Sequence, residues 1–87
     1  MPHSEVKWNR DQIRLLLERP GHRENLEAIC ALGLTLTARA VLRRGSVRYV
    51  LQATAPNGDT VQSRPSFRLE DGLFDVWPRA LHLAGRL

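Results

Sequence analysis

The chain has 87 residues, of which 43% are hydrophobic and 25% charged, and this globular composition argues against disorder. The length suits one small domain over residues 1–87, and no apolar run approaches the roughly 20 residues of a membrane helix. No secretory signal is visible, and Cys30 is the only cysteine, so no internal disulfide can form. We therefore expect a cytoplasmic protein without a membrane-spanning segment.

The first third of the chain predicts two short helices. Asn9 is a suitable N-cap, and Gln12 stands where it can complete a capping box before apolar residues at helical spacing. A Pro-Gly pair ends this helix at about Arg19. A second helix is predicted from about His22 to Leu32, and Gly33 is suited to the left-handed residue that ends it. Together they form an αα-hairpin.

The apolar period then changes to two, which predicts antiparallel strands. Two alternating segments, Leu34–Arg43 and Val47–Ala55, flank Arg44-Gly45, a two-residue hairpin loop. The following Pro-Asn-Gly turn predicts a three-residue loop to a third strand, because only that register keeps apolar residues on one face. This register pairs Ala55 with Asp59, Leu51 with Ser63 and Val47 with Phe67. Pro65 cannot donate a hydrogen bond and predicts that this strand lies at an edge.

Asp71-Gly72 predicts another turn, and Asp75 predicts the cap of a short last helix from Val76 to Ala84. The predicted fold is α+β: an N-terminal αα-hairpin, a three-stranded antiparallel meander and a short C-terminal helix (ααβββα), with the helices on one face of the sheet. The predicted core contains Ile13, Leu17, Leu26, Ile29, Leu36, Leu51 and Phe67.

The positive charge is concentrated in the predicted sheet. The net charge is +4, yet residues 33–69 hold six arginines and one aspartate. The six are Arg39, Arg43, Arg44, Arg48, Arg64 and Arg68. We expect Arg44 in the hairpin loop and the other five on the outer face, beside threonines and glutamines and with no aromatic neighbour. Guanidinium groups bind phosphate and guanine edges, and a β-ribbon fits a major groove, so this face predicts contact with duplex nucleic acid or an acidic protein surface.

Patterns typical of catalysis or metal binding are missing from the sequence. His3, His22 and His82 are far apart and lack the cysteine spacing of a metal site. Cys30 lies on the apolar stripe of a predicted helix, where a buried thiol is the usual reading. The glycines do not form a phosphate-binding loop, and the few carboxylates do not indicate a paired acid–base site. A chain of this length also has little room for a catalytic pocket. We expect no metal, no cofactor and no enzymatic activity.

Three functions stay open on the sequence alone. The leading hypothesis is a non-catalytic nucleic-acid-associating module, a small regulator of the kind that phages or mobile elements encode. The alternative is a stoichiometric protein-binding inhibitor or adaptor acting on a host nucleic-acid-processing complex, an anti-CRISPR-like role. Phe74 and Trp77 would then anchor the partner, since aromatic residues dominate interface hot spots. The third is an accessory subunit whose basic face is only solvated. The sequence does not determine the oligomeric state.

Overall fold

Residues 6–85 are described by the computed structural model, and they form three α-helices and one four-stranded antiparallel sheet. The elements are β1 (Val6–Trp8), α1 (Arg10–Leu16), α2 (Pro20–Ala31), β2 (Thr35–Arg43), β3 (Ser46–Thr54), β4 (Thr60–Gln62) and α3 (Leu69–Ala84). The strands lie side by side in chain order, so the α+β class and the antiparallel meander are confirmed. The number of strands and the length of the last helix differ from the prediction.

β1 is the strand that the prediction lacks. It pairs with β2 through Lys7 opposite Arg39 and Trp8 opposite Ala38. Three residues are too few to show a period of two, which explains why the sequence pattern did not indicate this strand. The predicted helix start directly after it is confirmed. The Asn9 side chain accepts a hydrogen bond from the Gln12 backbone N–H at 2.9 Å, and the Gln12 side chain accepts one from the Asn9 N–H.

The β2–β3 hairpin has the predicted register. Thr35 pairs with Thr54, and Arg43 pairs with Ser46. Its loop is the expected Arg44-Gly45, and both residues have positive φ, 51° and 77°. These angles match the turn whose twist suits a two-residue hairpin.

The three-residue loop between β3 and β4 is also confirmed. The backbone N–H of Ala55 donates to the carbonyl of Asp59 at 2.8 Å, and Gly58 has φ 94°. The predicted pairing continues as far as Ser63, whose N–H donates to the carbonyl of Leu51 at 2.8 Å. β4 lies at the edge of the sheet, as predicted from Pro65.

The register shifts by one residue after Ser63. Tyr49 pairs with Ser66, whereas a regular continuation would place Pro65 there. The Ser66 N–H donates to the Tyr49 carbonyl at 2.9 Å, a bond that a proline could not make. A one-residue shift exchanges the faces of the side chains that follow. Phe67 is consequently 65% exposed, and its predicted place in the core opposite Val47 is wrong.

α3 has 16 residues, so the short last helix and the turn at Asp71-Gly72 are both wrong. Gly72 is buried inside the helix, where an added Cβ would lie 2.6 Å from Leu51 Cδ1. Asp75 does not cap the helix. Its carboxylate accepts a hydrogen bond from the backbone N–H of Arg64 at 2.7 Å and thereby ties the segment after β4 to α3.

Side chains from all three helices and from one face of the sheet form a single core. Its largest fully buried members are Ile13, Leu17, Leu26, Ile29, Leu36, Leu51, Leu83 and Val76. Six of the seven predicted core residues are confirmed, the exception being Phe67. We call the sheet face that carries Leu36 and Leu51 the helix-side face, and the opposite one the outer face.

Candidate nucleic-acid interface

Cations and neutral polar groups occupy separate ends of the outer face. Cross-strand pairing produces two polar rows at one end, and these are Thr35, Thr54 and Thr60, and Thr37, Gln52 and Gln62. Towards the β2–β3 loop the next rows carry Arg39 beside Val50, and Val41 beside Arg48. Among the described residues, none that these ladders place on the outer face is an aspartate or a glutamate.

β1 adds a cation that the sequence analysis missed. Lys7 lies opposite Arg39 on the outer face and is exposed. Arg43 and Arg44 stand at the end of the hairpin, both exposed, and Arg48 lies one row further in. We call Lys7, Arg39, Arg43, Arg44 and Arg48 the cationic face.

Hydrogen bonds between side chains hold one guanidinium of the cationic face in place. Arg39 Nη2 donates to Gln62 Oε1 at 3.3 Å, and Gln62 Nε2 donates to Gln52 Oε1 at 2.9 Å. Gln52 Nε2 in turn donates to Thr54 Oγ1 at 3.3 Å. This chain crosses three strands, so Arg39 is oriented by residues of β3 and β4 as well as by its own strand.

A groove of about 470 Å³ runs beside this hydrogen-bonded chain. Its lining includes Lys7, Asn9, Gln12, Thr37, Arg39 and Gln52. Val50 forms part of the groove and is only 5% exposed, although it points outward, so neighbouring side chains cover it. The groove therefore offers two cations and several amide and hydroxyl groups around an apolar base.

Arg48 and Phe67 form a stacked pair at the edge of the sheet. The guanidinium carbon of Arg48 lies 3.6 Å from the centroid of the Phe67 ring. Such a cation–π contact contributes roughly 0.5–1 kcal/mol at an exposed site. The register shift creates this pair, because it brings Phe67 beside Arg48. The expectation that the cationic region lacks an aromatic neighbour is therefore wrong.

The two remaining arginines of the predicted set take different places. Arg64 is exposed and follows β4, with its backbone tied to α3 through Asp75. Arg68 precedes α3 and lines a hollow with Leu16, Glu18 and Glu70. That hollow lies among the helices, so the predicted place of Arg68 on the outer face is wrong. The register shift that exposes Phe67 also places Arg68 on the opposite side of the chain from the outer face.

The two aromatic residues of α3 proposed as a partner anchor differ in exposure. Phe74 is 69% exposed, whereas Trp77 is half-buried against the core. Leu81, one turn further along α3, is also exposed. The spacing of Phe74, Trp77 and Leu81 is that of one helix face. α3 therefore carries an apolar stripe outside the core in addition to the buried one.

Within residues 6–85 no group of three histidines, cysteines or carboxylates is arranged to hold a metal ion, and His3 lies outside the described residues. None of the described helices is long and apolar enough to cross a bilayer.

Burial raises the pKa of the Cys30 thiol above its usual value, and nearby Arg10 offsets part of this effect. A neutral thiol is a poor nucleophile. The Cys30 side chain is partly buried and packs against the core.

Comparison with protein-family models, curated proteins and solved structures finds no match to this chain.

Proposed function

We propose that this protein associates with nucleic acid through the cationic face, without catalysing a reaction on it. The observation that carries the proposal is the placement of five cations at one end of the outer face, with no carboxylate among the described outward residues. A phosphate backbone supplies regularly spaced negative charge, which a group of cations on one surface can contact at several points.

The chemistry of the face suits phosphates and base edges together. Guanidinium groups bind phosphate oxygens through paired N–H donors and can also grip the edge of guanine. The hydrogen-bonded chain from Arg39 to Thr54 favours this role, since an oriented guanidinium loses less freedom on binding. β1 pairs with β2 only as far as Ala40, and the last pairing outside the hairpin on β3 is at Tyr49, so the end of β2–β3 is a two-stranded ribbon. Such a ribbon has the dimensions that enter a major groove.

The backbone conformation of Arg44 supports a role for the hairpin end in binding nucleic acid. Its φ of 51° lies in the left-handed region, which costs most residues roughly 1–2 kcal/mol and which asparagine or glycine adopts more easily. An arginine in this position reduces stability but places a guanidinium at the tip of the ribbon.

Salt dependence of duplex binding tests the proposal. If all five cations contact phosphates, the logarithm of affinity for random duplex should fall with the logarithm of salt concentration at a slope of about −4 to −5. Lys7→Ala should flatten the slope by about one unit. Arg68→Ala is the matched control and should leave it unchanged, because Arg68 lies in the hollow among the helices.

Two outcomes of this titration contradict the proposal. The first is no complex with duplex at low salt. The second is an equal effect of Lys7→Ala and Arg68→Ala, which would indicate only a general attraction to a basic protein.

A single-stranded oligonucleotide belongs in the same series, since the exposed Phe67 ring beside Arg48 could stack on a base. Phe67→Ala should then weaken single-strand binding more than duplex binding.

A protein-binding inhibitor or adaptor is the second candidate, and the exposure of Phe74 favours it. A large aromatic side chain that is 69% exposed on a helix, beside half-buried Trp77, resembles the anchors of protein interfaces. Under this candidate the arginines would meet an acidic protein surface, and duplex would not bind at physiological salt. Phe74→Ala would then abolish the complex with the protein partner, while Lys7→Ala would only reduce its rate of formation.

A further inference from the structure

One end of the sheet extends beyond the helices and leaves apolar side chains uncovered on the helix-side face. The rows Leu36–Ala53 and Ala38–Leu51 are buried. Two rows further along, Leu42 pairs with Val47, and both are about half exposed, at 56% and 49%. The alternation of apolar residues in β2 and β3 favours burial of both side chains, but the helices leave them uncovered.

Two further exposed apolar residues lie on the same side of the sheet, near the next row, Ala40–Tyr49. Val6 is 52% exposed and pairs with Ala40 on the same face, and Leu16, at the end of α1, is 48% exposed. Leu16 also shares an open groove with Trp8 and Tyr49. We call Val6, Leu16, Leu42 and Val47 the apolar ledge. It holds four of the eight large hydrophobic side chains that are exposed among residues 6–85.

We propose that a second copy of this chain covers the apolar ledge, so that two hairpins pack face to face around a two-fold axis. An α-helix with its side chains is about 10–12 Å across, and packed sheets lie about 10 Å apart. Where the helix layer ends, the surface drops to the uncovered strands and forms a step. The depth of this step is therefore about the thickness of one further sheet. The uncovered hairpin of a second copy has that thickness and fills the step, while its own ledge is covered in return.

Charge complementarity favours a second copy in this arrangement. Each hairpin ends in Arg43 and Arg44, and no acidic residue lies between Ala28 and Gly58. Next to the ledge, at Leu16, is a polar hollow that holds three carboxylates against two guanidiniums. Its charged residues are Glu18, Arg19, Arg68, Glu70 and Asp71. An antiparallel pairing of two hairpins brings the arginine tip of each copy to the carboxylates of the other.

Sedimentation velocity over a wide concentration range tests the proposal, and the parent protein should form a dimer. Leu42→Asp should raise the dissociation constant at least about tenfold, because two such side chains lose their burial in each dimer. Phe74→Asp is the matched control, since it places the same charge on an exposed apolar residue of α3 and should leave the dimer intact. Circular dichroism melts establish that both variants are folded.

Charge reversal tests the orientation of the two copies. Arg44→Glu and Glu70→Arg should each weaken self-association, since each places like charges at both contacts of the dimer. An equal mixture of the two variants should restore it, because the reversed tip of one then meets the reversed hollow of the other. A parent protein that stays monomeric overturns the proposal, as does a dimer that survives Leu42→Asp but is lost in Phe74→Asp. Failure of the mixture to associate overturns the antiparallel arrangement.

Discussion

Replacement of Gly72 by alanine tests the packing of α3 on the sheet. Helix propensity predicts that the substitution stabilises the fold, whereas tertiary packing predicts that it destabilises it. Alanine in place of glycine inside a helix stabilises by up to about 1 kcal/mol. At Gly72, however, the new Cβ would lie 2.6 Å from Leu51 Cδ1 and 3.4 Å from Ser63 Oγ. Leu51 is fully buried and has little room to move, and overpacking of this kind costs about 1–3 kcal/mol. We expect a net loss of up to about 2 kcal/mol.

Urea denaturation and thermal melts of matched variants measure this effect. Gly21→Ala is the control, since Gly21 lies in the first turn of α2 with no atom within 4 Å of an added Cβ, and it should stabilise by about 0.4–1 kcal/mol. Each kcal/mol corresponds to a shift of roughly 4–8 °C in Tm for a domain of this size. Leu51→Ala alone should cost about 2–5 kcal/mol, and less in the Gly72→Ala background, where the added methyl group occupies part of the cavity. A Gly72→Ala protein that melts above the parent would refute the close approach of α3 to Leu51.

Two further substitutions and one chemical modification test other features of the structure. Ser63→Ala should destabilise by about 1–3 kcal/mol in urea titrations, because the Ser63 hydroxyl accepts the hydrogen bond of the buried Leu51 N–H at 2.9 Å, and the loss leaves that donor unpaired. Arg44→Asn should raise the Tm, since asparagine tolerates φ 51° better, and should also weaken duplex binding; a Tm at or below that of the parent would contradict the strain. Alkylation of Cys30 by iodoacetamide should be slow at neutral pH, because burial raises the pKa of its thiol. The rate should increase only at a more alkaline pH than for an exposed cysteine. Equal alkylation rates for Cys30 and an exposed cysteine near pH 8 would contradict this.

The parts of the fold that the sequence predicted correctly are those in which local chemistry and the apolar pattern agree. Asn9 and Gln12 form the capping box that their spacing indicates. The β2–β3 register follows from the alternation of apolar residues and from a loop that requires positive φ at Gly45. In each case the partners are close in the sequence, so the interaction that fixes the structure is visible in a short window.

The errors have a different physical origin, because each depends on a partner that is distant in the sequence. Asp71-Gly72 has the composition of a turn, yet the glycine is needed inside α3 because Leu51 leaves no space for a Cβ. The extra residue near Pro65 shifts the register, and no local pattern shows it, since Phe67 would also suit the core face. β1 is too short to carry an alternation signal, so the contribution of Lys7 to the cationic face could not be predicted.

The end of the β2–β3 hairpin takes part in both proposals, and Arg44 is the residue that they share. The cationic face points outward and the apolar ledge points to the helix side, so a dimer through the ledge leaves Lys7 and Arg39 of both copies accessible. Arg44, in contrast, cannot bind a phosphate and the carboxylates of a second copy at the same time. Linkage then requires that nucleic acid bound at the hairpin tip weakens self-association, and that self-association weakens binding at the tip by the same factor. The two activities are therefore separable by Leu42→Asp and Lys7→Ala but coupled through Arg44.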